Sequence, residues 1–144
     1  MIHNRHDIAD IIIPATTDHL GEVRRFISDR MRTCGCNEFE EHGVILAVDE
    51  ACSNLMLHAY QNDPSKSIAL RIDISDTGID VRIMDTARPF DPSSTTLPNM
   101  TSYFEERRSG GLGILIMSRV MDEISYRTTD NGMNELLLRK KRRP

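Results

Sequence analysis

The sequence predicts an α+β fold, a two-layer sandwich of helices packed on one sheet. Three observations predict it. Apolar residues recur at helical spacing between Leu20 and Tyr60. They alternate strictly between Ile68 and Ile83, and hairpin-type turn residues separate the alternating runs. Helices grouped beside mostly hairpin-linked strands close a core by laying one layer on the other.

Ile8 to Ile13 reads as a first strand stopped by Pro14, and Thr16 or Thr17 can then cap a helix. Leu20, Val23, Phe26, Ile27, Met31 and Cys34 form its apolar face, and Gly35 ends it. Asn37 followed three residues later by Glu40 is a capping-box start for a second helix. That helix carries Phe39, Leu46, Ala47, Val48, Ala51, Leu55 and Met56 as its apolar set and runs to about Tyr60, closed by Asn62-Asp63-Pro64. Ile68, Leu70, Ile72 and Ile74 form a strand, Asp76-Thr77-Gly78 a turn, and Ile79, Val81 and Ile83 a strand ending at Asp85. A Ser-, Thr- and Pro-rich stretch follows, a long loop of the kind that usually serves function. Leu112 to Met121 is a third helical run, and Glu123 to Thr128 and Asn134 to Lys140 are strands joined by Asp130-Asn131-Gly132.

Composition excludes several classes. Hydrophobic residues at 39% and charged residues at 28% describe a globular chain, not a disordered one. No apolar run reaches the roughly 20 residues of a membrane helix, and the N-terminus has no signal-peptide core, so a cytoplasmic protein without membrane contact is expected. Eighteen Lys+Arg against 22 Asp+Glu give a net charge of −4, unlike a general nucleic-acid binder. The basic tail Arg139 to Arg143 reads as a solvated strand end. Cys34, Cys36 and Cys52 form no disulfide framework, and no second ligand pair accompanies Cys34 and Cys36 as a zinc site would require.

Three segments carry chemistry. Glu50, Asn54 and His58 stand four residues apart, so a helix places a carboxylate, an amide and an imidazole on one face. Such a row can hold a divalent ion or activate a hydroxyl, or be a hydrated face. Asp85, at a strand end before Thr86-Ala87-Arg88-Pro89-Phe90, can accept a hydrogen bond from an amine-bearing ligand such as adenine, or form a polar turn. Ser109-Gly110-Gly111-Leu112-Gly113 leads a loop into a helix, where bare amides can cradle phosphate oxygens or serve as a hinge. It is neither a Walker loop nor a dinucleotide fingerprint.

In this order and spacing the three segments resemble the N box and the two glycine boxes of the histidine-kinase-like (GHKL) ATPases, over nearly the whole chain. Within that superfamily the sequence is most similar to the bacterial anti-sigma factor serine/threonine kinases, in which the ATPase domain stands without sensor or dimerisation helices. Glu106 to Ile114, continuing to Met121-Asp122-Glu123, is similar to that family's lid-to-helix junction.

The resemblance implies a single ATPase domain over 1–144 of the Bergerat type, with a mixed, mostly antiparallel sheet and an ATP lid at about 92–110. It implies ATP and Mg²⁺ as ligands, with Asn54 holding the metal and Glu50 as general base on the substrate hydroxyl. Asp85 becomes the acceptor for the adenine amino group, and Arg108 reaches the terminal phosphate. Gly111 and Gly113 approach the phosphates, and Ala87, Phe90, Gly110, Leu112 and His58 complete the nucleotide-binding set. The chain departs from the family at Ala87, where glycine is usual, and at Met133, which follows Gly132 where a Gly-Thr pair is frequent. No ligand contact from a hydroxyl of that hairpin is therefore expected.

The implied activity is that of an anti-sigma kinase. It would phosphorylate a Ser or Thr of a STAS-type anti-anti-sigma partner and regulate an RNA polymerase sigma factor by partner switching, a role in transcription without direct nucleic-acid contact. The alternative is an ATP-gated protein-binding module without kinase turnover. The resemblance also allows a homodimer through the sheet and first helix region, which the apolar first strand Ile11-Ile12-Ile13 permits.

Overall fold

A computed structural model describes residues 6–86 and 117–142. The chain runs β1 (Asp7–Pro14), a 3₁₀ turn (Thr17–His19), α1 (Leu20–Thr33), α2 (Glu38–Asn54), a π turn (Leu55–Ala59), β2 (Ser67–Ile74), β3 (Gly78–Asp85), β4 (Glu123–Thr128) and β5 (Asn134–Lys141). Residues 117–120 are helical, Met121 lies just past the helix, and residues 112–116 of the third helical run lie outside the described residues.

The helix ends follow local chemistry. Thr16 is extended but makes no side-chain cap, in contrast to the expected one; its carbonyl accepts the His19 N–H at 3.0 Å instead. At the end of α1, Gly35 sits at φ +74°. Its N–H donates to Arg32 and that of Cys36 to Met31, at 3.1 and 3.0 Å, the paired bonds of a Schellman cap that needs a left-handed residue. The capping box of α2 forms in both directions: Asn37 Oδ1 accepts from the Glu40 N–H at 2.7 Å, and Glu40 Oε1 accepts from the Asn37 N–H at 3.0 Å.

The five strands lie in the order β1-β2-β3-β5-β4. Every pairing is antiparallel, which corrects the expectation of a mixed sheet. The reason is topological. Two helices separate β1 from β2 and restore an antiparallel approach, and β5 inserts between β3 and β4, which run the same way.

The core lies between the helices and one face of this sheet. Ile68, Leu70, Ile72 and Ile74 on β2, Ile79, Val81 and Ile83 on β3, and Leu136 and Leu138 on β5 are buried. Val23, Ile27 and Met31 of α1, spaced four apart, and Val44, Ala47, Val48, Ala51 and Leu55 close over them. Phe39 and Leu46, expected in the core, are 80% and 46% exposed. They stand seven residues apart on the helix face turned away from Val44, Val48 and Ala51, so the helical spacing is right but the face is the outer one.

The other sheet face is laced by cross-strand ion pairs. Arg71 Nε donates to Asp10 at 2.7 Å, and Arg139 bridges Asp80 and Glu123 at 2.9 and 3.1 Å. The basic tail is thus partly built into the sheet: Lys140 Nζ donates to the Val120 carbonyl at 2.7 Å, and Arg142 to that of Ser75 at 2.9 Å. Arg30 donates to Asp7 from α1.

These pairs add to the acid sensitivity of the fold. Hydrogen bonding to Arg30 holds the Asp7 carboxyl below its ordinary value, and hydrogen bonding to Arg71 does the same for Asp10. A carboxylate whose folded pKa is depressed contributes stability that is complete above its unfolded value and lost as pH falls through the folded one. Urea midpoints are therefore expected to hold down to about pH 5 and to fall below about pH 4. Asp10→Asn should remove part of that fall.

Candidate functional site

The site is built where α2, β3 and the β4–β5 hairpin end together. Glu50 and Asn54 occupy the last turns of α2, one turn apart on one face, Glu50 half-buried and Asn54 only 7% exposed. Next the helix widens. The Tyr60 N–H donates to the Leu55 carbonyl at 2.9 Å, five residues back, and the π turn Leu55–Ala59 results. Such widenings are frequent at functional sites because they re-aim a helix end. His58 lies in this turn and is exposed, so the regular row of Glu50 and Asn54 stops before it.

After the π turn, Gln61 and Asn62 both adopt positive φ, 50° and 58°, and reverse the chain. Asn62 Oδ1 accepts the Thr17 N–H at 2.9 Å and ties this reversal to the start of the helical layer. Tyr60, itself buried, then makes the link that completes the site: its hydroxyl oxygen accepts the Thr86 N–H at 2.8 Å. The end of the α2 segment is thereby fixed to the residue that follows Asp85.

Asp85, the last residue of β3, is 4% exposed. Asn134, the first residue of β5, is fully buried and faces it in register. The Asn134 amide donates from Nδ2 to Asp85 Oδ1 at 2.9 Å. Thr128, the last residue of β4, donates its hydroxyl to Asn134 Oδ1 at 3.0 Å. A buried carboxylate held by an oriented donor is an acceptor fixed in direction, as recognition of an amino group requires.

The amide of Asn54 has the opposite character. Its Nδ2 is buried and has no hydrogen-bond partner among the described residues. A buried unpaired amide is costly and asks for a ligand. Rotation of the terminal amide exchanges Nδ2 and Oδ1, so the position can present a donor to a phosphate oxygen or an acceptor to a cation. The residues present therefore fit a nucleotide and its divalent ion.

Two neighbours acquire other roles. Asp49 accepts from Arg24 Nε of α1 at 2.7 Å, and this bond raises the guanidinium further above its ordinary value. Asp49 thus joins the two helices. Cys52 is fully buried, and burial pushes its thiol up to about 12, which leaves it an inert core group rather than a nucleophile. A polar cleft of about 670 Å³ beside the β2–β3 turn, lined by His6, Asp7, Cys34, Ser75, Asp76 and Arg142 among others, contains no expected site residue.

The structure thus ties the segment that follows Glu50 and Asn54 to the end of β3 that carries Asp85, through the Tyr60–Thr86 bond. Ala87, Phe90, Arg108, Gly110, Gly111, Leu112 and Gly113 lie outside the described residues, as does the expected lid at 92–110. Tyr60, Thr128 and Asn134 were not read as site residues from the sequence. Their partners are 26, 6 and 49 positions away, and only the fold brings the distant ones together.

Serine-protein kinase RsbW of Bacillus subtilis (strain 168) is 28% identical over 125 residues, covering 84% of this chain and 78% of the relative. The RsbW of Staphylococcus aureus (strain JH9) is 25% identical over 130 residues, covering 86% and 81%. Among solved structures, SiaB in its complex with SiaC from Pseudomonas aeruginosa superposes with a TM-score of 0.67 at 14% identity, over 91% of this chain and 88% of that one. The RsbU and RsbW domains of Rv1364c from Mycobacterium tuberculosis superpose with a TM-score of 0.66 at 16% identity, over 96% of this chain, which spans 33% of that longer one. Residues 13–140 match the family described as histidine kinase-like ATPase domain, and the chain, with its RsbW-like sequence and α+β fold, belongs to that family.

Proposed function

We propose that the chain is an ATP-dependent protein serine/threonine kinase of the anti-sigma type, acting on a STAS-type anti-anti-sigma partner and regulating a sigma factor by partner switching. The observation that carries this reading is the buried Asp85 carboxylate held by Asn134 at 2.9 Å, beside a helix end that presents Asn54 and Glu50. The RsbW relatives are named serine-protein kinases, and the SiaB structure is a complex with a protein partner, which supports a kinase that works on proteins.

Each residue then has a task. Asp85 accepts from the exocyclic amino group of adenine and sets the position of the base. Ala87, Phe90 and His58 border the nucleotide, and the amides of Gly110, Gly111, Leu112 and Gly113 meet phosphate oxygens. Asn54 would hold Mg²⁺, which would neutralise negative charge on the phosphates during transfer. Glu50 takes the proton of the partner's hydroxyl as that oxygen bonds to the terminal phosphorus. The bond from that phosphorus to the bridging oxygen breaks, and ADP leaves. Arg108 balances charge on the phosphoryl group in flight.

Two partner statements follow. Ile12, 71% exposed, and Ile8 stand on the outer face of β1, which supports a homodimer paired through the sheet. No helix among the described residues is long and apolar enough to cross a membrane.

The test is direct. The chain is incubated with Mg-ATP and a STAS-type protein from the same source, and the partner is analysed by mass spectrometry. One phosphorylated Ser or Thr supports the reading. An unmodified partner that nonetheless forms an ATP-dependent complex favours the gated binding module.

A further inference from the structure

The row at the open end of the sheet consists of Asp85, Asn134 and Thr128, each the terminal residue of its strand and each in register with its neighbour. Asn134 is the middle member. An amide can turn either way, and its two ends have opposite chemistry. Here the Asp85 carboxylate decides the orientation: the amino end donates to Asp85 Oδ1 at 2.9 Å, and the Thr128 hydroxyl, able to donate or accept, donates to the remaining Oδ1 at 3.0 Å. Reversing the amide would put two acceptors, Oδ1 and the carboxylate, against each other.

We propose that Asn134, braced between Thr128 and Asp85, is the positioning residue that makes Asp85 select a nucleobase bearing an exocyclic amino group. The proposal rests on the reading of Asp85 as the base acceptor and deepens it. With the amide N–H donating to Oδ1, the carboxyl is fixed as an acceptor. A fixed acceptor pairs with the amino group of a 6-amino purine and leaves the oxygen of a 6-oxo purine unpaired. The expectation drawn from Met133, that this hairpin offers no hydroxyl to the ligand, is thereby complemented. The hairpin acts on the base through an amide one residue further on, and through another side chain.

The test compares ATP with inosine triphosphate, which carries oxygen in place of the amino group, by calorimetry on the whole chain. Wild type should prefer ATP. Asn134→Leu, close in volume and without a donor, should reduce ATP affinity between about 10-fold and about 100-fold and collapse the preference, because only the ATP complex uses the oriented acceptor. Thr128→Val, which keeps Asn134 and Asp85 but removes the hydroxyl on Asn134 Oδ1, should reduce the preference by a smaller factor and serves if the buried Asn134 substitution unfolds the chain. Urea unfolding without nucleotide separates folding from selectivity. If ATP and inosine triphosphate weaken equally in both variants, Asn134 is merely structural and the inference fails. If Asp85→Asn loses ATP while both hairpin variants retain the wild-type preference, it fails with the nucleotide site intact. If wild type binds neither nucleotide, the site reading itself falls.

Discussion

Glu50→Gln is expected to lower phosphoryl transfer to a STAS-type partner by about 10²- to 10⁴-fold, the usual contribution of a positioned general base. The substitution keeps shape and hydrogen-bonding capacity but removes the carboxylate that accepts the proton. Glu50 is half-buried on the last turns of α2, and its backbone carbonyl accepts from Ser53 Oγ at 3.1 Å, so the helix should not register the change. ATP affinity and partner affinity should stay near wild type, because the base acts on the incoming hydroxyl and not on the nucleotide. Single-turnover transfer measured beside partner binding checks this. Equal transfer rates in both proteins would remove Glu50 from the chemistry.

Asn54→Leu should separate function from stability in the opposite sense. The amide is 7% exposed and its Nδ2 lacks a partner among the described residues, a cost of about 1–3 kcal/mol that the fold carries. An apolar side chain of similar size removes that cost, so the urea midpoint should hold or rise. The affinity gained by adding Mg²⁺ to ATP should disappear, a loss of at least about 10- to 100-fold, the range measured for groups that only orient a metal ligand. A variant that unfolds more easily yet keeps its Mg²⁺ dependence would mark Asn54 as a packing residue.

Much of the fold was legible because its signals are local. Asn37 and Glu40 are three residues apart, and both halves of their box form. The alternation of Ile68 to Ile83 gives two strands whose inward residues are all buried. Gly35 ends α1 through the positive φ that glycine tolerates. The misreadings have a common cause. Phe39 and Leu46 share the helical period with the core residues, and periodicity alone does not say which apolar stripe faces inward. The π turn needs one extra residue per turn and has no compositional signature, so the row from Glu50 was carried on to His58.

The site divides in the same way. Asn54 stood out by its four-residue spacing from Glu50, and Asp85 by its place at a strand end. The groups that hold Asp85 did not. Asn134 lies 49 positions beyond it and meets it only through the β3–β5 register. Tyr60 looked like a helix terminus, whereas its hydroxyl secures the Thr86 N–H across the layers.

The most direct test of the central claim is a calorimetric titration of wild type and Asp85→Asn with ATP, with and without Mg²⁺. The account predicts Mg²⁺-dependent binding to wild type, weakened about 10- to 100-fold in the variant, the worth of one hydrogen bond to a charged group. The neutral side chain can still accept from Asn134, so the variant should stay folded. Absence of binding at about millimolar ATP, or equal binding by the two proteins, would contradict a nucleotide site at Asp85 and the kinase reading built on it.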